Sequence, residues 1–246
     1  MLRVEGLTIR SGEVPVAEDV SFEVPGERLT CLIGPSGCGK TSVLKWLAGV
    51  LAPSLSARGR LTLDGGPATP PDRAIAYQPQ QDALLPWLTV AENAALGLSV
   101  RGVPRAEAGA KVLPLLGSFG LGGTGDAFPA ALSGGMRQRA AFLRTIVQDS
   151  RFVLLDEPFS ALDAVTRLTM QDWLAARLAE TPRGILMVTH DLHEATLMAD
   201  RILVMAARPG RIVADIPIHT PRADRTEAAL AEVRTALRTR LMEEAT

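Results

Sequence analysis

Residues 28–41 read Arg28-Leu29-Thr30-Cys31-Leu32-Ile33-Gly34-Pro35-Ser36-Gly37-Cys38-Gly39-Lys40-Thr41, an apolar run that ends in a glycine-rich turn. From Gly34 to Thr41 the turn fits G-x-x-x-x-G-K-[ST] at every fixed position. Arg28 to Ile33 predicts a buried strand and Thr41 to Val50 a helix, so the turn lies where a strand hands over to a helix N-terminus. Gly37 and Gly39 permit backbone conformations that aim successive N–H groups at one point, and the helix adds its positive end. Such a nest holds phosphate: Lys40 is placed to neutralise β- and γ-phosphate charge, and the Thr41 hydroxyl to bind Mg²⁺. Gly34, Pro35, Ser36, Cys38 and Ser42 complete the expected nucleotide-binding stretch. Lys40, Lys45 and Lys111 are the only lysines in an arginine-rich chain, so a compact ammonium at 40 is a distinctive choice.

Outward from this turn the chain alternates between strand and helix patterns. Leu2, Val4 and Leu7 to Ile9, then Val20 to Val24, predict strands before it; Arg60 to Leu63 and Ile75 to Tyr77 predict strands after it. Residues 52–59 read as a long connection after the first helix. From about 79 to 150 alanine, leucine, glycine and arginine dominate, which predicts a mostly helical insertion. Phe152 to Leu155, Ile185 to Thr189, Ile202 to Met205 and Arg211 to Ile216 resume the strands. The expected fold is α/β: a mixed, largely parallel sheet with an antiparallel β region and an inserted helical subdomain, over residues 1–216. Residues 217–246 form a short C-terminal helical tail whose stripe Leu230, Val233, Leu237 and Leu241 either lies on its own domain or docks a partner.

The composition sets limits on function. The 246 residues include 26 Lys plus Arg against 27 Asp plus Glu, a net charge of -1, which speaks against a nucleic-acid binder that works by counterion release. Two cysteines and three histidines make neither a disulfide framework nor a convincing zinc site. The first residues lack a basic-then-apolar leader, and no apolar run reaches the roughly 18 residues of a membrane span. The expectation is an intracellular chain that reaches any membrane through a partner.

Phe152-Val153-Leu154-Leu155-Asp156-Glu157-Pro158 is an apolar strand that ends in two carboxylates. Ligands in parallel sheets bind beyond the carboxyl ends of the strands, and adjacent buried acids are unfavourable unless a cation or substrate uses them. Asp156 is therefore expected at the Mg²⁺, and Glu157 as the group that orients and deprotonates the attacking water.

Leu132-Ser133-Gly134-Gly135-Met136-Arg137-Gln138-Arg139 resembles the signature of ATP-binding-cassette (ABC) ATPases, and the remaining landmarks fall in that family's order over residues 1–216. Gln78 resembles the Q-loop glutamine, Ser160-Ala161-Leu162-Asp163 the D-loop, and His190, followed by Asp191, the switch histidine. The resemblance implies a head-to-tail homodimer. In it each ATP lies between the cradle of one subunit and Leu132, Ser133, Gly134, Gly135 and Met136 of the other. It further implies that His190 contacts the γ-phosphate, that Gln78 reaches Mg²⁺ and the water, and that Asp163 signals across the dimer. Where the family stacks an aromatic on adenine, the segment Ile9 to Val16 has none; Arg10 is expected to stack on the base, with Val16 against it.

Leu84-Leu85-Pro86-Trp87 and Leu162-Asp163-Ala164-Val165-Thr166-Arg167 are similar to the nitrate/sulfonate/taurine group of bacterial import ATPases. That resemblance implies an ATPase at the cytoplasmic face of the inner membrane. It would drive a separate permease fed by an extracytoplasmic solute-binding protein. Trp87 is either core of the insertion or an anchor in a groove for a permease helix. Two other classes compete. A cassette ATPase acting on a macromolecule requires a long coiled coil or a second cassette, and this chain has neither; a scaffold that binds ATP without hydrolysis is disfavoured by Glu157, Gln78 and His190.

Overall fold

The computed structural model describes residues 1–243; the last three residues of the expected tail lie outside the described residues. A first sheet is antiparallel, with strands β1 (Leu2–Ser11), β2 (Val14–Val24), β4 (Leu55–Leu63) and β5 (Gly66–Ala68) in the order β2-β1-β4-β5. The second has the order β10-β9-β3-β8-β7-β6, from β3 (Leu29–Ile33), β6 (Ile75–Gln78), β7 (Phe152–Asp156), β8 (Gly184–Val188), β9 (Arg201–Met205) and β10 (Ile212–Pro217). It is parallel except at β10, which runs antiparallel to β9. The mixed, largely parallel sheet with an antiparallel region is as expected.

The pleat explains why the central strands are apolar throughout. Cys31, Val153, Leu155, Met187, Ile202 and Val204 point to one hydrophobic cluster, while Leu32, Leu154, Leu186, Val188 and Leu203 point to the other. On the second face the antiparallel sheet and α1 (Lys40–Leu47) close the core, burying Leu7, Ile9, Val43, Leu44 and Leu47 completely. The other helices cover the first face.

Between β6 and β7 the chain forms α2 (Val90–Val100), α3 (Arg105–Leu116) and α4 (Gly134–Ile146), with α2 packed on both others. Thr89 and Glu92 start α2 with a capping box, and Ser133 caps α4. After β7, α5 (Ala164–Glu180) starts at the Asp163 cap and α6 (Leu192–Met198) at the Asp191 cap. The tail helix α7 (Glu227–Glu243) packs on α6, with Leu230 and Leu237 fully buried and Val233 and Leu241 partly so. Of the two readings of the stripe, the one realised is a helix on its own domain.

One expectation changes. The supposed connection 52–59 is half strand: Leu55 to Gly59 belongs to β4, where Leu55 pairs with Ser11 and Ala57 with Ile9. Ser56 to Arg60 are all exposed, so no inside–outside alternation marks the strand in the sequence. β4 ends at Leu63, and Asp64-Gly65 is a hairpin turn with φ of +51° and +84° that leads straight into β5.

Candidate active site

The turn between β3 and α1 has the cradle geometry: φ is +79° at Gly37 and +96° at Gly39, the residue that caps α1. It opens on a cavity of about 310 Å³ lined by Ser36, Gly37, Gly39, Lys40, Thr41 and Ser42, with Val16, Gln80, Glu157 and His190 opposite. Gly34, Pro35 and Cys38 form the back of the loop. The carbonyls of Gly34 and Pro35 each accept a hydrogen bond from Lys40 Nζ at 2.9 Å, and the Cys38 sulfur, fully buried, lies 3.6 Å from the same ammonium. Behind them sits Gly210, whose N–H donates to the Val16 carbonyl; a Cβ there would fall 1.9 Å from the Cys38 carbonyl oxygen. Sequence reading missed this support, since its partners are far away along the chain.

Asp156 ends β7 fully buried. Its Oδ1 accepts from the Thr41 hydroxyl at 3.0 Å and its Oδ2 from the Tyr77 hydroxyl at 3.4 Å. Desolvation raises its pKa above the usual carboxylate value, and neighbouring Glu157 adds to the rise. The same burial, with the Asp156 charge beside it, pushes the Tyr77 phenol up. Among the described residues no cationic side chain pairs with Asp156 within ion-pair distance. A buried carboxylate whose bonds come from hydroxyls, beside a threonine oxygen, is an oxygen donor set suited to a hard cation. Thr41 and Asp156 therefore fit Mg²⁺.

Glu157 follows in the left-handed region at φ +48°, its N–H bonded to the Val188 carbonyl, so the backbone turns its side chain into the cavity. Glu157 Oε2 lies 3.3 Å from His190 Nδ1 and accepts from Gln80 Nε2 at 3.1 Å. One carboxylate, one imidazole and one amide thus converge beside the phosphate cradle.

Gln78 is not among them, a correction to the sequence reading for both its catalytic and its metal role. It is fully buried within β6, paired in register with Leu155, and neither atom of its amide has a hydrogen-bond partner among the described residues. The chain leaves the sheet at Pro79, and the first glutamine beyond the strand end, Gln80, reaches the cavity. The rule that ligands gather past the carboxyl ends of strands selects Gln80 only once pairing with β7 has carried the strand one residue further, to Gln78. Arg10 is also displaced. It lies outside the cavity lining, and the pleat of β1 turns it away from the buried face that Ile9 occupies; Ser11, two residues from Ile9, is the exposed residue on that face. Val16 does line the cavity.

None of Leu132 to Met136 lines the cavity of its own chain. Leu132 is buried, whereas Ser133 and Gly134 are exposed at the start of α4, where Ser133 Oγ accepts from the Met136 N–H at 3.2 Å. Asp163 is exposed too, its Oδ1 bonded to the Thr166 N–H at 3.0 Å, which lowers its pKa. Trp87 is 69% exposed, so the core reading of that residue is wrong.

Comparison with known proteins agrees with this geometry. The chain is 47% identical to the taurine import ATP-binding protein TauB of Mesorhizobium japonicum over 81% of its length and 76% of the relative's. It is 43% identical to TauB of Pseudomonas putida (82% and 76%). An uncharacterised ABC transporter ATP-binding protein of Methanocaldococcus jannaschii is 39% identical over 95% of this chain and 88% of its own. Among solved structures, an ATP-binding subunit of an ABC transporter superposes with a TM-score of 0.76 at 29% identity, covering 89% of this chain and 90% of its own. The dimeric cassette MJ0796 with ADP and Pi bound shares the fold at a TM-score of 0.77 and 24% identity, over 90% of this chain and 100% of its own. The sequence profile of the ABC transporter family matches residues 17–160, which span the cradle, the signature and both carboxylates. With that match, and with a phosphate cradle that faces a Glu157–His190–Gln80 cluster, the chain belongs to the ABC transporter family.

Proposed function

We propose that this protein is the ATP-hydrolysing subunit of an importer, driving a separate membrane permease. The observation that carries the reading is the convergence of Lys40, Thr41, Glu157, Gln80 and His190 on one cavity. ATP enters with its phosphates on the cradle N–H groups and Lys40, and its base toward Val16. Thr41 and Asp156 would hold Mg²⁺, which would supply charge neutralisation for the phosphates. Glu157 orients the attacking water and takes its proton; Gln80 and His190 fix the Glu157 carboxylate, and His190 presents its ring to the γ-phosphate. Leu132, Ser133, Gly134, Gly135 and Met136 act on the nucleotide of a second copy, which is how a signature remote from its own cavity contributes. Asp163 lies at the same junction. The γ-phosphate closes this homodimer and hydrolysis releases it.

Residues 1–216 serve as the ATP-binding unit, with residues 79–150 as the insertion that meets the permease and residues 217–246 as a tail on the same unit. The TauB relatives support a taurine-type or similar small solute, delivered by a solute-binding protein, and a peripheral site at the cytoplasmic face of the membrane. Among the described residues no helix is long and apolar enough to cross a membrane, which suits a subunit that works through a permease.

The test is steady-state ATP hydrolysis by the purified chain and its Glu157→Gln variant. Turnover should fall by at least about 10²-fold for loss of the general base, with ATP retained in a stable dimer. Near-normal hydrolysis in the variant would remove the assignment.

A further inference from the structure

The His190 ring is largely exposed, so its aim depends on the turn that carries it, residues 189–191 between β8 and α6. Asp191 caps α6, with Oδ1 accepting from the N–H of His193 at 2.8 Å and of Glu194 at 3.2 Å. The Asp191 N–H in turn donates to Thr189 Oγ1 at 3.1 Å. Glu194 stands three residues after the cap, where a capping box would return its carboxylate to the Asp191 N–H. Here the Thr189 hydroxyl is interposed: it takes the N–H, and Thr189 and Glu194 wall the same small cavity.

The Glu194 residue is only 5% exposed. Its Oε1 accepts from Gln171 Nε2 on α5 at 3.0 Å, and among the described residues no cation pairs with it within 4 Å. Burial pushes its pKa up; Asp191 adds repulsion and Arg167 a weaker attraction. An unpaired buried carboxylate opposes folding, and an apolar side chain would fill the site at no such disadvantage. It forms one wall of a cavity of about 50 Å³ whose other walls include Glu157, His190 and Arg167.

We propose that Glu194 is a positioning residue for ATP hydrolysis: anchored by Gln171, its carboxylate holds the Thr189 hydroxyl and through it the turn that aims His190 at Glu157. The inference rests on the ATPase reading above and adds a residue to it. The full chain is assayed for ATP hydrolysis as wild type, Glu194→Ala, Glu194→Gln and Thr189→Val, each also on a His190→Ala background, with melting curves to establish folding. Glu194→Ala and Thr189→Val should lower kcat about tenfold, with KM for ATP within about twofold because the cradle is untouched. Glu194→Gln keeps an oxygen for both the Thr189 hydroxyl and the Gln171 amide, so it should recover most of kcat and melt at a higher temperature. On the His190→Ala background, Glu194→Ala should change kcat by less than about twofold, as expected of two residues acting as one unit. The proposal is overturned if Glu194→Ala keeps its kcat, if its loss is equal with and without His190, or if Glu194→Gln is as damaging as Glu194→Ala. A wild-type chain that does not hydrolyse ATP overturns the proposed function and this inference together; an active wild type with any of the preceding results overturns the inference alone.

Discussion

The Thr41 hydroxyl donates to Asp156 Oδ1 at 3.0 Å, joining the start of α1 to the end of β7. This contact leaves the carboxylate buried without a cation, and burial raises its pKa from an ordinary 3.8. The native state therefore binds that proton more tightly than the unfolded chain does. Stability from this group is complete below 3.8 and is lost as pH rises through the higher native value. Asp156→Asn should consequently melt higher than wild type at neutral pH, with the difference closing as the buffer approaches pH 4, while ATP hydrolysis is abolished. Thermal melts across pH in the absence of Mg²⁺ check the first part. A variant less stable than wild type at pH 7 contradicts it.

Gln80 and Gln78 separate function from packing two residues apart. Removing the Gln80 donor to Glu157 by Gln80→Ala should reduce kcat about tenfold, the equivalent of one charge-assisted hydrogen bond, with the melting temperature unchanged. Gln78→Met replaces a buried, unpartnered amide with an apolar group of similar shape, and should gain about 1 kcal/mol of stability with turnover intact. Reversed results in the two variants would restore Gln78 to the site.

Nucleotide affinity should be indifferent to Arg10→Ala, because that side chain lies off the cavity lining. Val16→Ala, which trims the wall opposite the cradle, should weaken ATP binding about two- to fivefold through lost apolar contact. Titration calorimetry distinguishes the two; a tenfold loss for Arg10→Ala would reinstate guanidinium stacking.

Trp87 is exposed on a backbone that is nonetheless fixed. The buried Asn93 side chain bonds the carbonyls of Leu85, Leu88 and Thr89 and the N–H of Leu85, clamping the loop on both sides of it. An aromatic presented this rigidly loses little entropy on docking. Trp87→Ala should leave the melting temperature and basal ATPase as they are, while weakening capture by the permease about 30-fold, in the range of an interface hot spot. Pull-down from membranes with tagged variants measures it.

What could be read in the sequence was what short range decides. Gly34 to Thr41 carries its own geometry, and an all-apolar strand ending in Asp156-Glu157 implies burial on both faces, so the cradle, the carboxylates and the central strands came out with small errors at their ends. Gln80 was missed because the end of β6 depends on its pairing with β7, a partner more than seventy residues away. Arg10 was misplaced because a face is chosen by the pleat of β1, which also carries register shifts against β2. Leu55 to Gly59 was taken for loop because backbone pairing to β1, rather than side-chain pattern, makes it a strand.

Lys40 has its own consequence. Its ammonium is already engaged by two carbonyls and the Cys38 sulfur of the loop it belongs to, so an arriving phosphate exchanges partners with it instead of meeting a bare cation. Departure of the product runs the same exchange backwards and leaves no desolvated charge behind. The emptied subunit keeps its mouth in shape between turnovers, and a fresh nucleotide finds a receptor that does not have to be rebuilt.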